Sequence, residues 1–478
     1  MSDGVGEFLS RVEMAEAVGG AWSSWPSVDA TGIATDTREW MERKLFIALR
    51  GDRFDGHAYL ADAFAKGAVG AVIDRSWSDR DGGYGPVLRV DNTRTALAKI
   101  ASAWRKSLSA LTVSAVTGSA GKTTTRRLIE AACAMRGETV VSLKSFNNDI
   151  GVPLTLLSAR RTHRFLVAEI GMNHPGEILP LAQLVSPRVA VVTMAGRAHL
   201  EGMGSLEAVA KEKASIFLAL PAMGCAVMPS EAGPLSDAIE GIGLAHRGIR
   251  QIRFGGCDRA DVRLIERRPS SAGSQRLSIR VSAASLPQGS KDRRVEFDCA
   301  LPGEHNARNA ASALAAALAL GVDLDDAIRG IASVVPSEMR FVREEHRGVT
   351  FFNDTYNANP DAMLAALRTF AELTVNASRR VALLGEMREL GSDAAQLHRE
   401  IGKEAAATSL DAIIAVGPFA TEVKDAYQHG GGRGAAMAFA EFGSDAMDAA
   451  LSHATPGTHV LVKGSRGARM ERFLAEFR

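Results

Sequence analysis

Apolar and polar positions divide this 478-residue chain into successive stretches of alternating strand and helix. In the first stretch, residues 45–49 and 70–73 are short apolar runs with an Ala-rich, helix-spaced segment between them, which predicts a small α/β unit. From Leu111 onward, strand-like runs recur at 113–116, 165–170 and 189–193, with a helix predicted after Lys122. Such βαβ alternation predicts a parallel sheet covered by helices on both faces, with a site at the carboxyl ends of its strands. Between residues 261 and 300 the pattern changes to alternation, as in Arg276-Leu277-Ser278-Ile279-Arg280-Val281. That predicts a half-exposed antiparallel sheet added at the periphery, with polar loops near 269–273 and 287–293. Residues 306–320 predict a long Ala-rich helix ended by Gly321, and Val334-Val335-Pro336-Ser337 forms a joint. A second α/β unit follows, with strands at 349–352, 381–384, 412–416 and 459–462. The fold expected is therefore α/β in three domains, at 1–109, 110–334 and 335–478, the last Rossmann-like.

The strand at 113–116 runs into Thr117-Gly118-Ser119-Ala120-Gly121-Lys122-Thr123-Thr124 and then into a helix. This is the context of a phosphate-binding loop. Gly118 and Gly121 let backbone amides approach phosphate oxygens, the helix adds its positive N-terminal end, and Lys122 supplies a full charge. Thr123 would offer its hydroxyl to Mg²⁺. Only two residues separate the glycines, against four in the common pattern.

Composition narrows the ligand classes. Lys and Arg total 56 against 55 Asp and Glu, a net charge of +1, so no bulk attraction to nucleic acid or an anionic membrane is built in. An anionic ligand must be held locally. Cys133, Cys225, Cys257 and Cys299 are scattered singly, which suggests neither a zinc site nor a disulfide framework and fits a reducing compartment. The N-terminal segment lacks an apolar signal core, and no run of about 18 apolar residues occurs, so a cytoplasmic protein without a membrane span is expected.

Three further positions attract attention. Glu169 ends the strand at 165–170, where a hard cation bridging ATP oxygens would sit, although such a residue also serves as a helix cap. His199 follows the next strand, in Thr193-Met194-Ala195-Gly196-Arg197-Ala198-His199. Lys213 lies on a helix capped by Ser205, and from the residues alone it reads as a solvent-facing charge paired with Glu207 or Glu212.

Together these motifs resemble the Mur ligase superfamily over nearly the whole chain. The resemblance includes Thr35-Asp36-Thr37-Arg38 and the stretch from Phe46 to His57, similar to a UDP-sugar-binding domain in which Asp36, Thr37 and Arg38 contact uridine or diphosphate. It also includes Ser145-Phe146-Asn147-Asn148-Asp149-Ile150-Gly151-Val152-Pro153, whose Asn147, Asn148 and Asp149 are implied substrate contacts. Gly303-Glu304-His305-Asn306-Ala307-Arg308-Asn309 resembles the adenine-side helix start, with Asn309 on the base. Asn353-Asp354-Thr355-Tyr356-Asn357-Ala358-Asn359-Pro360, the segment 384–391 and Lys463-Gly464-Ser465-Arg466 complete it.

The resemblance implies an ATP-dependent amide ligase using two Mg²⁺ ions. It would join D-alanyl-D-alanine to UDP-N-acetylmuramoyl-tripeptide as a monomer. Lys213 takes the position of a lysine that the family carbamylates with CO₂, which reverses the solvent-facing reading, because a carbamate oxygen is a hard ligand where an ammonium would repel the ion. Thr123, Glu169, His199 and Lys213 would hold metal, Lys122 and Arg340 the transferring phosphoryl group, and Asp354 the ribose. Asn357, Asn359 and the segment 386–389 are expected near the dipeptide.

The chain departs from the family pattern at Ala214-Ser215, at Glu304 and at Glu42-Arg43-Lys44, and it lacks the Asp-Asn-Pro-Arg run of diaminopimelate-adding relatives. A relative adding a single amino acid, a folate-type ligase and a non-ligase P-loop ATPase stay open at this point.

Overall fold

The computed structural model describes residues 8–51, 54–77, 84–142, 146–270 and 273–477. Asp52, Arg53 and Ser145 of the motifs above, residues 271–272 of a predicted loop and the N-terminal heptad lie outside the described residues. Three α/β units appear, each around its own sheet, as expected from the pattern.

The first sheet has the order Ala21–Trp22, Val87–Val90, Gly70–Asp74, Lys44–Ile47, Gly32–Ala34, parallel except at the first pair. Helix Thr93–Ser107 starts at Asn92, whose side chain accepts a hydrogen bond from the Thr95 amide. It buries Ala96, Leu97, Ile100, Ala101 and Trp104, a helical stripe, in a core continuous with that of the central sheet. The Trp104 indole donates to the Ala159 carbonyl at 3.0 Å, and Arg105 donates to the Val185 carbonyl at 3.1 Å. The first two units are thus welded by apolar packing.

The central sheet has nine strands in the order Thr139–Val141, Phe165–Glu169, Thr112–Thr117, Val189–Val192, Cys225–Pro229, Arg250–Gly255, Val262–Pro269, Gln275–Val281, Arg293–Cys299. The first seven are mutually parallel and the last two antiparallel. Phe165–Glu169 and Val189–Val192 are buried throughout, as strands sandwiched between helices must be.

The peripheral sheet expected at 261–300 is corrected by the pairing. The alternating segments do not make a separate sheet: Val262 pairs with Phe254 and Arg263 with Gly255, so they prolong the central one. Alternation reports which face is wet, but an open strand edge elsewhere decides the pairing.

Helix Glu304–Ala319 is buried along most of its length because alanine lets it lie close against helix Lys122–Ala134 and the sheet. A neighbouring helix, Leu324–Ala332, meets the same helix at Gly330, where a Cβ would overlap the Ala131 carbonyl.

The third sheet has the order Val342–His346, Val349–Asp354, Thr458–Lys463, Arg379–Gly385, Ala412–Val416, Ala435–Phe439, parallel except for the initial hairpin. Both edge strands escape the sequence pattern. Val342–His346 carries Arg343, Glu344 and Glu345 on a strand that is only half buried, and Ala435–Phe439 is nowhere buried. Among the described residues no helix is long and apolar enough to cross a membrane.

Candidate active site

A cleft of about 1460 Å³ runs between the central and third units and is lined by Lys122, Thr123, Glu169, His199, Arg340 and Asp354, among others. Its floor is the carboxyl edge of the central sheet. Strand Thr112–Thr117 lies between Phe165–Glu169 and Val189–Val192, so the Gly118 to Thr123 turn, Glu169 and the segment leading to His199 leave the sheet side by side.

The turn owes its shape to its glycines. Gly118 has φ +150° and Gly121 φ +80°, and a Cβ on Gly118 would overlap the Thr193 hydroxyl, on Gly121 the Asn309 amide. Helix Lys122–Ala134 starts at Gly121 with no side-chain cap, leaving its first amides directed into the cleft. Lys122 Nζ donates to the Gly118 carbonyl at 2.6 Å, curling over the turn. Burial lowers its pKa, with Glu169 opposing and Arg340 adding to the shift.

Gly118→Ala is accordingly expected to weaken ATP binding about 10–100-fold in calorimetry, since forcing a side chain into this conformation costs about 1–3 kcal/mol before any clash.

Glu169 is almost wholly buried and fixed at both oxygens. The Thr123 hydroxyl donates to Oε2 at 2.9 Å, the Asn147 amide donates to Oε1 at 3.2 Å, and Arg126 Nε stands 3.8 Å from Oε2. Asn147 therefore orients the carboxylate, whereas Asn148 accepts from the Gly151 amide at 2.9 Å, just ahead of helix Gly151–Leu157. Asp149 pairs with Arg94 of the first unit at 3.4 Å.

Lys213 contradicts the solvent-facing reading outright. It lies on helix Leu206–Ala214, is fully buried, and its Nζ has no hydrogen-bond partner among the described residues. Burial and the Lys122 charge hold its pKa well below the ordinary lysine value, against the pull of Glu212, Glu169 and Glu177. Glu212 is already committed, accepting from the Gly176 and Ile178 amides at 2.9 and 2.8 Å, and Glu177 accepts from the Asn173 amide at 2.7 Å. The result is a buried amine, unpartnered among the described residues, whose charged form is disfavoured by burial and by Lys122.

These groups suit a magnesium ion. Thr123 and Glu169 offer hard oxygens, and an orphaned amine that can become a carbamate offers more. Among the described residues no three His, Cys, Asp or Glu side chains gather as a ready metal nest, so phosphate oxygens would complete the shell. His199 has φ +58° and sets its Nδ1 2.6 Å from Glu389 Oε2 of the third unit, which holds the Glu389 carboxyl below its usual range.

Other third-unit residues reach the same edge. Arg340 donates to the Thr123 hydroxyl at 3.0 Å, with its guanidinium 4.0 Å from the centre of the Tyr356 ring. Asp354 faces Lys463 Nζ at 2.6 Å, and that nearly buried lysine also donates to the Asn357 carbonyl at 3.0 Å. The Asn357 side chain accepts from the Arg466 amide at 3.3 Å. Asn359, expected near the dipeptide, lines the cleft and caps helix Pro360–Leu373: its Oδ1 accepts from the Ala362 amide at 2.8 Å, and its Nδ2 donates to the Ser119 carbonyl at 3.1 Å. Through these two bonds Asn359 docks its helix onto the phosphate loop.

Asn309 is buried under the loop, donating to Asn306 Oδ1 at 3.1 Å and accepting from Thr125 at 3.3 Å. Beside it His305 is held down to about 4, chiefly by burial, and is neutral at physiological pH. Thr117 is fully buried, and Ser119, Ala120 and Thr124 line the cleft.

Asp36, Thr37 and Arg38 do not join this cleft. Asp36 accepts both arms of Arg38, a contact that lowers its carboxyl to about 2, and the backbone of the buried Thr37 accepts from Lys66 at 2.8 Å. His57 of the same unit is a structural residue, buried with Nδ1 on Asp55 and Nε2 accepting from the Asp74 amide at 2.9 Å.

Sequence reasoning misses Arg126, Arg197, Asp361 and Glu400. Arg197, two positions before His199, carries the one available signal, a cation in a loop already singled out.

A glycine-cradled phosphate loop at the edge of a parallel sheet, closed over by a second α/β unit, defines a P-loop nucleotide-binding enzyme of several domains. The sequence matches the Mur ligase middle domain over residues 116–317 and the Mur ligase, glutamate ligase domain, over residues 339–466. A UDP-N-acetylmuramoyl-tripeptide–D-alanyl-D-alanine ligase of Escherichia coli is 33% identical, with 92% of each chain covered. The crystal structure of MurF from Acinetobacter baumannii superposes with a TM-score of 0.85 at 29% identity over 99% of both chains. That of a MurF ligase from Thermotoga maritima in complex with ADP gives 0.77 at 25% identity, covering 93% of this chain and 96% of that one. The chain belongs to the Mur ligase family.

Proposed function

We propose that this chain is an ATP-dependent ligase that joins D-alanyl-D-alanine to UDP-N-acetylmuramoyl-tripeptide, a step of peptidoglycan precursor synthesis. It yields the UDP-linked pentapeptide, ADP and phosphate. The relatives that carry this name match nearly end to end, and the observation that carries the reading is the convergence of Lys122, Thr123, Glu169 and Arg340 from two units on one cleft.

In this reading residues 1–109 hold the UDP end, 110–334 the ATP and 335–478 the incoming dipeptide. Arg94, Asn147, Asn148 and Asp149 mark the seam between the first two units and suit the peptide arm of an elongated substrate. The phosphate-loop amides and Lys122 hold the triphosphate, Arg340 approaches the γ-phosphate, and Asp354, fixed by Lys463, meets the ribose. Two Mg²⁺ ions held by Thr123, Glu169, His199 and carbamylated Lys213 would neutralise charge on the transferring phosphoryl oxygens.

The tripeptide carboxylate attacks the γ-phosphorus, the bond to ADP breaks, and an acyl phosphate forms. The dipeptide amine then attacks the acyl carbon, phosphate leaves, and the amine gives up a proton. His199, Arg340 and Asn359 bring the third unit against the loop, which excludes water from the acyl phosphate.

The test is phosphate release by purified protein supplied with ATP, Mg²⁺ and the UDP-tripeptide. Release should require D-alanyl-D-alanine. Turnover without any acceptor amine would favour a non-ligase ATPase, and turnover with single amino acids a different acceptor.

A further inference from the structure

Leu200 packs against the cores of both the central and the third unit, and a dense set of polar contacts between the two gathers on Arg197. Its backbone N–H donates to Asp361 Oδ2 at 2.7 Å, its Nε and Nη2 to Oδ1 at 3.3 and 3.1 Å, and its Nη1 to Glu400 Oε2 at 2.5 Å. The guanidinium thus spans two helices of the third unit, Pro360–Leu373 and Ala394–Ala407. Asp361 sits in the first turn of its helix, where the helix dipole favours a carboxylate. The planar fork of arginine suits such a two-sided grip in a way lysine does not.

The same loop holds the phosphate cradle from behind. The Ser119 hydroxyl accepts from the Gly196 amide at 2.9 Å and donates to the Gly196 carbonyl at 3.0 Å, while the Ser119 amide donates to the Met194 carbonyl at 3.0 Å. A Cβ on Gly196 would overlap the Asp361 carboxylate, so that carboxylate rests directly on the backbone that Ser119 grips. The circuit closes through Asn359, which donates to the Ser119 carbonyl and stands two residues before Asp361. Phosphate loop, Gly196-Arg197 and the helix start at 359–361 therefore form one ring.

We propose that Arg197 is a positioning residue: by clamping Asp361 and Glu400 it makes the seating of the third unit set the shape of the phosphate loop at Ser119. Arg197 touches no reacting atom and acts through Gly196 and Ser119. The proposal deepens the ligase reading and rests on it for its kinetic test.

Arg197→Ala is expected to lower kcat on the order of 10–100-fold, the scale of a small misplacement of reacting groups, with the KM for ATP changed far less. Asp361→Asn, which keeps size and shape, should lose a similar factor. The double variant should be little worse than either single one, because both break the same contact. In small-angle scattering with a non-hydrolysable ATP analogue, wild type should become more compact than either variant.

Unchanged kcat in both variants, losses that multiply in the double variant, or compaction equal to wild type would each overturn the proposal. Should Arg197→Ala melt early, Asp361→Asn carries the same expectations. If wild type shows no dipeptide-dependent phosphate release, the ligase reading falls while the scattering comparison still decides the clamp.

Discussion

Lys213→Ala is expected to lower ligase turnover by about 10²–10³-fold, the loss typical of removing one group that stabilises the transition state. A short-chain carboxylic acid such as formate or acetate should restore part of it. The reasoning starts from the environment. A fully buried amine without a partner among the described residues, its charged form disfavoured by burial and by Lys122, would be able to attack CO₂, and in the proposed function the carbamate would place oxygens toward Glu169, the carboxylate held by Thr123. Truncation opens a hole of the right size for a small carboxylate. Simple unfolding would not respond to added acid, so a variant that stays inactive across a series of small acids while keeping the wild-type melting temperature would remove Lys213 from the site. Isotopically labelled bicarbonate should give wild type a carbamate carbon signal in NMR that the variant lacks.

The second large effect belongs to Arg340. Arg340→Ala is expected to reduce kcat about 10³-fold, at the lower end of what an arginine supplied to a transferring phosphoryl group contributes. The KM for ATP should move much less, because in the proposed function the loop amides and Lys122, which curls over the loop, would bind the ground state. Arg340 reaches across the domain joint to the Thr123 hydroxyl and is steadied by the face of Tyr356. Arg340→Lys should recover only a small part, since an ammonium lacks both the fork and the flat face that stacks. Steady-state phosphate release at saturating dipeptide separates the cases; equal loss from kcat and from ATP affinity would mean that Arg340 serves binding instead.

The interdomain contacts suit the closure that the proposed reaction requires of the third unit. The first and central units share one apolar core around Trp104, whereas the third meets the central one at Leu200, which packs against both cores, and through the polar contacts of Arg197, Arg267 with Glu372 at 2.7 Å, and His199 with Glu389. Partly exposed ion pairs of this kind contribute little each, so together they set a geometry without locking it.

Much of this protein is legible in its amino-acid order. The buried strands at 165–169, 189–192 and 412–416 are apolar runs that parallel sheets require, and Gly118 and Gly121 belong to a local backbone whose chemistry is written in consecutive residues. Loop, Lys122 and strand-end Glu169 follow from short-range pattern, because periodicity and turn chemistry act over a few residues.

The remainder depends on how distant segments approach one another. Alternation at 262–299 does not say that these strands prolong the central sheet, since pairing depends on which edge lies open. Helical spacing puts Lys213 in solvent, and only the helices packed around it bury it. That Asn359 bonds Ser119 emerges only when its helix meets the phosphate loop, and Arg197 is one charged residue among many until two helices from the third unit close on it. Local sequence sets which elements form and which residues carry the chemistry; burial, partners and charge environment come from contacts between residues far apart in the chain.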